Sequence, residues 1–105
     1  MQERLQDILI EIEEIQQMVS DLSFAEFCQD RRTIKATLYS LAVIGEAAAN
    51  LLPEVATLYP QIPWKQMRGM RNITVHEYFQ VDLTIIWETI QSDLPMLYSS
   101  LKELI

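Results

Sequence analysis

Apolar residues recur at three- and four-residue steps along most of this chain, the period of a helix with one buried face. Leu5, Ile8, Leu9, Ile12, Ile15 and Val19 trace the first stripe, with Glu and Gln between them. Ser20-Asp21-Leu22-Ser23 breaks the stripe and supplies an N-cap for a short helical stretch, Phe24–Cys28. A long helix is expected from near Asp30 to about Leu52, burying Ile34, Leu38, Leu41, Ala42, Gly45 and Ala48 or Ala49. The small residues Gly45, Ala47, Ala48 and Ala49 would let another helix come close, and Pro53 halts the element.

Pro53–Tyr59 fits a short helical turn that ends at Pro60. Pro63 suits the first turn of a new helix, expected over Pro63–His76. Val81-Asp82 reads as a loop with an Asp N-cap, after which Leu83, Ile86, Trp87, Ile90, Leu94, Leu97 and Leu101 trace a final amphipathic helix. Pro95 should kink that helix without ending it, because the periodicity resumes beyond it. No β-type alternation, internal repeat or low-complexity tract interrupts the pattern. The expected fold is all-α: an antiparallel bundle of four main helices with short additional ones, in one domain over residues 1–105.

Composition narrows the class. With 105 residues the chain can bury one core but not two, and only two glycines favour packed helices over turn-rich sheet. A lone Cys28 excludes an internal disulfide and fits a reducing compartment. No apolar run approaches the roughly 20 residues that span a bilayer, and Met1-Gln2-Glu3-Arg4 lacks the basic start and apolar block of a signal peptide. A cytoplasmic protein without membrane contact is expected.

The net charge is −7, but it is unevenly spread. Residues 1–30 hold eight acids and one base, and residues 72–105 five acids and Lys102. Residues 31–71 hold six bases (Arg31, Arg32, Lys35, Lys65, Arg68, Arg71) against Glu46 and Glu54. A small anion site fits this distribution better than an extended nucleic-acid groove.

Chemistry concentrates where that basic segment ends, in Arg71-Asn72-Ile73-Thr74-Val75-His76-Glu77-Tyr78. His76 is the only histidine, the side chain whose ordinary pKa lies near neutrality. Arg71 is a permanent cation with a forked donor array, suited to a phosphate or a phosphorane-like transition state. Arg68 lies three positions before it, hence a neighbour on one helical face. Tyr78 offers a phenol that can bind a ligand or be modified. The bland alternatives are a structural histidine, a surface ion pair at Arg71 and a core tyrosine.

On a straight α-helix, five residues turn through about 500°, leaving Arg71 and His76 roughly 140° apart. Either arginine's length bridges the gap, or the helix is distorted, or the two residues meet across a subunit interface. The last option has chemical appeal. Cleaving RNA through its 2′-hydroxyl needs a base for that hydroxyl and an acid for the leaving 5′-oxygen, and a twofold dimer supplies two copies of His76. Metal chemistry has little support: His76 and Cys28 are 48 positions apart and no acidic cluster flanks the motif at ligand spacing. There is no phosphate-cradling Gly-rich loop, and Trp64 and Trp87 occupy apolar positions expected in the core.

Arg71-x4-His76-x-Tyr78 within Met67–Phe79 closely resembles the HepT-like branch of the HEPN superfamily. Ala42-Val43-Ile44-Gly45-Glu46-Ala47, Ile62-Pro63-Trp64, Trp87-x-Thr89-Ile90 and Asp93-Leu94-Pro95 resemble it too, so the likeness spans nearly the whole chain. The resemblance implies a HEPN-like fold and a dimeric, metal-independent endoribonuclease, with a higher even-numbered assembly as the alternative. It also implies a toxin of a type VII-like toxin–antitoxin pair, whose antitoxin is an MntA-like minimal nucleotidyltransferase. In the family's pattern Arg71 and His76 form the catalytic pair and Asn72 supports the site. Tyr78 is the residue to which the antitoxin transfers AMP. Arg68 is a further candidate for supporting Arg71, and no cofactor is implied for cleavage. The competing reading is a non-catalytic nucleotide-binding or scaffolding partner of the nucleotidyltransferase, and a third is a purely structural helical dimer.

Overall fold

The first helix, α1 (Gln2–Val19), carries the six apolar positions of the expected stripe on one face, and Leu5, Ile8, Leu9, Ile12, Ile15 and Val19 are all buried in the computed structural model. The structure describes residues 2–72 and 81–105. After α1, Ser23 caps α2 (Phe24–Gln29) with a reciprocal capping box: its hydroxyl accepts from the Glu26 amide and the Glu26 carboxylate accepts from the Ser23 amide. The Ser23 amide foremost, with the Ser23 side chain second, holds the Glu26 carboxyl below its ordinary pKa. α2 buries Phe27 completely, against the half-buried Trp87, whose ring centroid lies 5.1 Å away.

The longest element, α3 (Arg31–Leu51), starts one residue after α2 because Asp30 caps it. The Asp30 carboxylate accepts from the Thr33 amide at 3.0 Å and from the Thr33 hydroxyl at 2.7 Å. The same bonds, the amide's first, lower its pKa. α3 is buried on more than the expected stripe. Ile34, Leu38, Leu41, Gly45 and Ala48 face inward as expected, while Ala42 is only half-buried. Thr37, Ser40, Ile44, Ala47 and Leu51 are buried as well. The reason is that α3 packs against α1 on one side and against the chain around residues 64–72 on another.

α4 (Glu54–Leu58) is the short turn expected after Pro53, and its Val55 is fully buried. α5 (Trp64–Gly69) follows and buries Trp64 and Met67. Asp82 caps α6 (Leu83–Glu88) through the Thr84 amide, as its sequence position suggested. Thr89–Asp93 is then wound as a π-helix, leading without interruption into α7 (Leu94–Lys102). Pro95 explains this winding. It has no N–H to give the carbonyl four residues back and its ring would collide with that carbonyl, so a wider turn ahead of it relieves both problems. The Leu94 amide accordingly bonds to the Thr89 carbonyl, five residues back.

α1 and α3 run antiparallel: Arg4, Asp7 and Glu11 near the start of α1 share a groove with Val43, Glu46 and Ala47 near the end of α3. α7 also packs on α1, where the Tyr98 hydroxyl donates to Glu13 at 3.3 Å. The described residues form an all-α fold, with one continuous core that includes Phe27, Leu41, Ile44, Met67, Ile90 and Leu101. Each fully buried aliphatic or aromatic side chain contributes about 1.5–3 kcal/mol, so the core outweighs any surface pairing. None of the described helices is long and apolar enough to cross a membrane.

Candidate active site

The segment leading to the motif is pinned from below. Ile62, Trp64 and Met67 are almost wholly buried, and the Trp64 indole N–H donates to the Tyr59 carbonyl at 2.8 Å. That bond closes the loop between α4 and α5 and sets where α5 begins. Lys65, Gln66 and Arg68 consequently face solvent on the opposite side of the helix.

The expected helix over Pro63–His76 does not hold its α-winding. α5 stops at Gly69, and Met70–Asn72 form a 3-10 turn. The Met70 amide bonds to the Met67 carbonyl, the three-residue step of the tighter winding. A close contact accompanies this change. The 3-10 turn lies directly on α3 at Gly45, which is so near that a Cβ there would overlap the Arg71 amide nitrogen. The same Cβ would stand 2.9 Å from the Arg71 Cα and from the Met70 carbonyl carbon, closer than real Cβ atoms come to other atoms. The small residues around Gly45 predict the close approach of another helix, and what Gly45 admits is the backbone of the motif arginine itself.

Arg71 therefore has a fixed backbone and an open side chain. Its side chain is 46% exposed, with the guanidinium 3.9 Å from the carboxylate of Glu46, whose side chain is 64% exposed. The bland reading of Arg71 as a member of a surface ion pair is thus present in the geometry. Among the described residues this long, exposed pair is the one ion pair made by Arg71, and it engages few of the five guanidinium donors. Asn72 and Arg68 are exposed near it in the chain. His76 and Tyr78 lie outside the described residues. A departure from straight α-geometry, one of the three ways to reconcile Arg71 with His76, is present at Met70–Asn72.

Two grooves reach residues of this contact, the first through Glu46 and the second through Met70. The α1–α3 groove, about 210 Å³, has three carboxylates (Asp7, Glu11, Glu46) against Arg4. The other, about 380 Å³, lies between α5 and α7 and is lined by Met67, Met70, Met96 and Leu97 with Gln61, Gln66, Asp93 and Ser100. An anionic ligand reaching Arg71 would avoid the first. Among the described residues no three His, Cys, Asp or Glu side chains are grouped to hold a metal ion. Trp64 is core as expected, whereas Trp87 is half-buried against Phe24 and Phe27.

Sequence reading missed the parts played by Gly45 and Glu46. Gly45 was visible as a place of close approach, but its partner is 26 positions away and only tertiary structure brings them together. Nothing in the local pattern distinguished Glu46 from other helix-surface acids.

Residues 8–104 match a family model described as Ribonuclease HepT-like. Over 100 residues the chain is 36% identical to a protein of Thermococcus cleftensis named "Probable ribonuclease HepT", covering 95% of this chain and 91% of that one. A "Putative RNase" of Caldanaerobacter subterraneus subsp. tengcongensis is 41% identical over 101 residues, covering 96% and 90% of the two chains. Another "Putative RNase", from Methanocaldococcus jannaschii, is 39% identical over 101 residues, covering 96% and 84%. No solved structure matches the chain.

Proposed function

Because the chain belongs to the HepT-like ribonuclease family, we propose that it is a metal-independent endoribonuclease built on Arg71 and His76. The observation that carries this reading is the placement of Arg71: a backbone clamped to the core and a guanidinium open to solvent, at the head of an Arg-x4-His-x-Tyr sequence. A cation held in that way can meet a phosphate without prior rearrangement.

In the proposed reaction His76 takes the proton from the ribose 2′-hydroxyl or gives one to the leaving 5′-oxygen. The 2′-oxygen attacks the adjacent phosphorus, Arg71 stabilises the pentacoordinate phosphorane, and the 5′-oxygen departs with a proton. The products are a 5′-hydroxyl and a 2′,3′-cyclic phosphate, which water then opens to a 3′-phosphate. A twofold dimer completes the acid–base pair with a second His76, and Asn72 and Arg68 support the cation. The chemistry uses the substrate's own hydroxyl as nucleophile, so no cofactor takes part.

The biological setting we infer is a toxin of a type VII-like toxin–antitoxin pair, acting in the cytoplasm. Its partner is a minimal nucleotidyltransferase that silences it by transferring AMP from ATP to Tyr78. The purified protein incubated with single-stranded RNA in excess EDTA tests the enzymatic core of this reading. Cleavage leaving cyclic phosphate ends, lost in both Arg71→Ala and His76→Ala, is expected. An inert wild-type protein would favour a non-catalytic scaffold for the nucleotidyltransferase.

A further inference from the structure

We propose that Gly45 and Glu46 are positioning residues for Arg71, the glycine fixing its backbone and the carboxylate orienting its guanidinium. The inference rests on the reading of Arg71 as the phosphate-stabilising cation. Glycine weakens a helix relative to alanine, so a glycine inside the 21-residue α3 calls for a steric reason. The Arg71 backbone is that reason, since it occupies the space a Cβ would need. Gly69 offers the contrast: a Cβ there meets nothing within 4 Å. The atoms in the way at Gly45 belong to backbone, with no flexible side-chain end to swing aside, so any larger residue must displace the turn that presents Arg71.

Glu46 follows Gly45 on the same helix and flanks the turn that Gly45 seats. An exposed arginine samples many rotamers, and a carboxylate 3.9 Å away favours those that keep the guanidinium at the α3 edge. The pair is too exposed to hold the side chain rigidly, and that looseness suits it to sharing the cation with a phosphate. The two residues should therefore contribute unequally. Backbone misplacement of about 1 Å can cost about 100-fold in rate, whereas an exposed ion pair accounts for a factor of about two to five.

The test compares cleavage of a single-stranded RNA by wild type, Gly45→Ala, Gly69→Ala, Glu46→Gln, Glu46→Asp, Arg71→Ala and the Gly45→Ala/Arg71→Ala double variant. Gly45→Ala should lower kcat about 100-fold, with thermal unfolding still cooperative, while Gly69→Ala keeps the wild-type rate. Glu46→Gln should lower kcat about two- to fivefold without raising KM, since removing the carboxylate also removes its repulsion of phosphate. Glu46→Asp should recover part of the loss. Adding Gly45→Ala to Arg71→Ala should cost little more, because the glycine acts through an arginine already gone. An equal cost of Gly45→Ala in both backgrounds overturns the proposal. So does a Glu46→Gln variant that matches wild type in both kinetic constants. A wild type that does not cleave, or an Arg71→Ala variant that cleaves normally, would sink the ribonuclease reading instead. Magnetic resonance then judges the placement by itself, and it also decides if Gly45→Ala fails to fold. The Arg71 Nε–H signal should shift when Glu46→Gln removes the carboxylate; a signal indifferent to that substitution refutes the positioning.

Discussion

Arg71 keeps its guanidinium 3.9 Å from the Glu46 carboxylate while both side chains remain widely open to water, at 46% and 64% exposure. Screening limits such a pair to about 0–1 kcal/mol, so the fold does not depend on the arginine side chain. The clamp at Gly45 acts on the Arg71 backbone, which any residue at position 71 retains. Arg71→Ala should therefore change the unfolding free energy by less than about 1 kcal/mol, yet lower RNA cleavage by about 100- to 1,000-fold. Urea unfolding beside a cleavage assay checks both halves. A large stability loss would assign the residue to architecture.

His76 should carry the proton transfers, a role worth about 100- to 10,000-fold. His76→Ala is expected to lose activity by that order in excess EDTA, with wild-type affinity for uncleavable RNA. The wild-type rate should be the same with EDTA and with added magnesium. If the His76→Ala protein, purified free of host nucleases, degrades RNA at the wild-type rate, the assignment is wrong.

Burial in α1 was fully legible because one face of that helix does all the packing, and period alone identifies such a face. Two caps were legible for a similar reason: Ser23 and Asp82 act on amides three and two residues ahead, within the reach of local sequence, whereas Asp30 was legible only as the approximate start of α3. α3 was only partly legible. It is covered from two sides, so Thr37, Ser40, Ile44 and Ala47 are buried outside the single stripe that periodicity marks, while Ala42 falls at its edge. A distorted helix near Arg71 was one of three options left open, and the 3-10 turn at Met70–Asn72 could not be singled out because the contact with Gly45 that accompanies it is long-range. The motif itself was plain in the sequence, since it is defined by residue types at fixed spacing. The partner of Arg71 on α3 was not.

Thr37 tests the core. It is fully buried, and its hydroxyl has no hydrogen-bond partner among the described residues. An unsatisfied buried hydroxyl costs about 1–3 kcal/mol, and replacing it by a methyl group of like shape removes that cost. Thr37→Val should raise the unfolding free energy by about 1 kcal/mol, read as a higher urea midpoint at unchanged slope. A lower midpoint would show that the hydroxyl finds a partner in solution.

The junction of α2 and α3 should be sensitive to acid. Glu26 and Asp30 both have carboxyl pKa values below their ordinary 4.5 and 3.8, because amides at Ser23 and Thr33 donate to the ionised forms. A depressed carboxyl stabilises the fold above its unfolded pKa and loses that contribution as the pH falls through the folded value. The contribution should thus be complete above about pH 5 and fade as the pH drops through 4.5 and below 3.8. Glu26→Gln and Asp30→Asn should each flatten the acid limb of the stability–pH curve. Identical acid limbs in wild type and both variants would remove these caps as its source.

Control through Tyr78 is the prediction with the widest consequence. Attaching AMP to its phenol would place a phosphodiester, with one negative charge, and a purine two residues beyond His76. The new anion would compete with RNA for Arg71, whose guanidinium is open to an incoming phosphate, and the base would obstruct the substrate's path. Modified protein should therefore bind and cleave RNA poorly while unfolding at the wild-type temperature. Tyr78→Phe should cleave normally but escape silencing by the nucleotidyltransferase supplied with ATP. Mass spectrometry of protein co-expressed with that partner should find one or more adenylyl groups on the peptide containing Tyr78. If toxicity is suppressed while that peptide stays unmodified, the partner works by binding alone and the covalent mechanism fails.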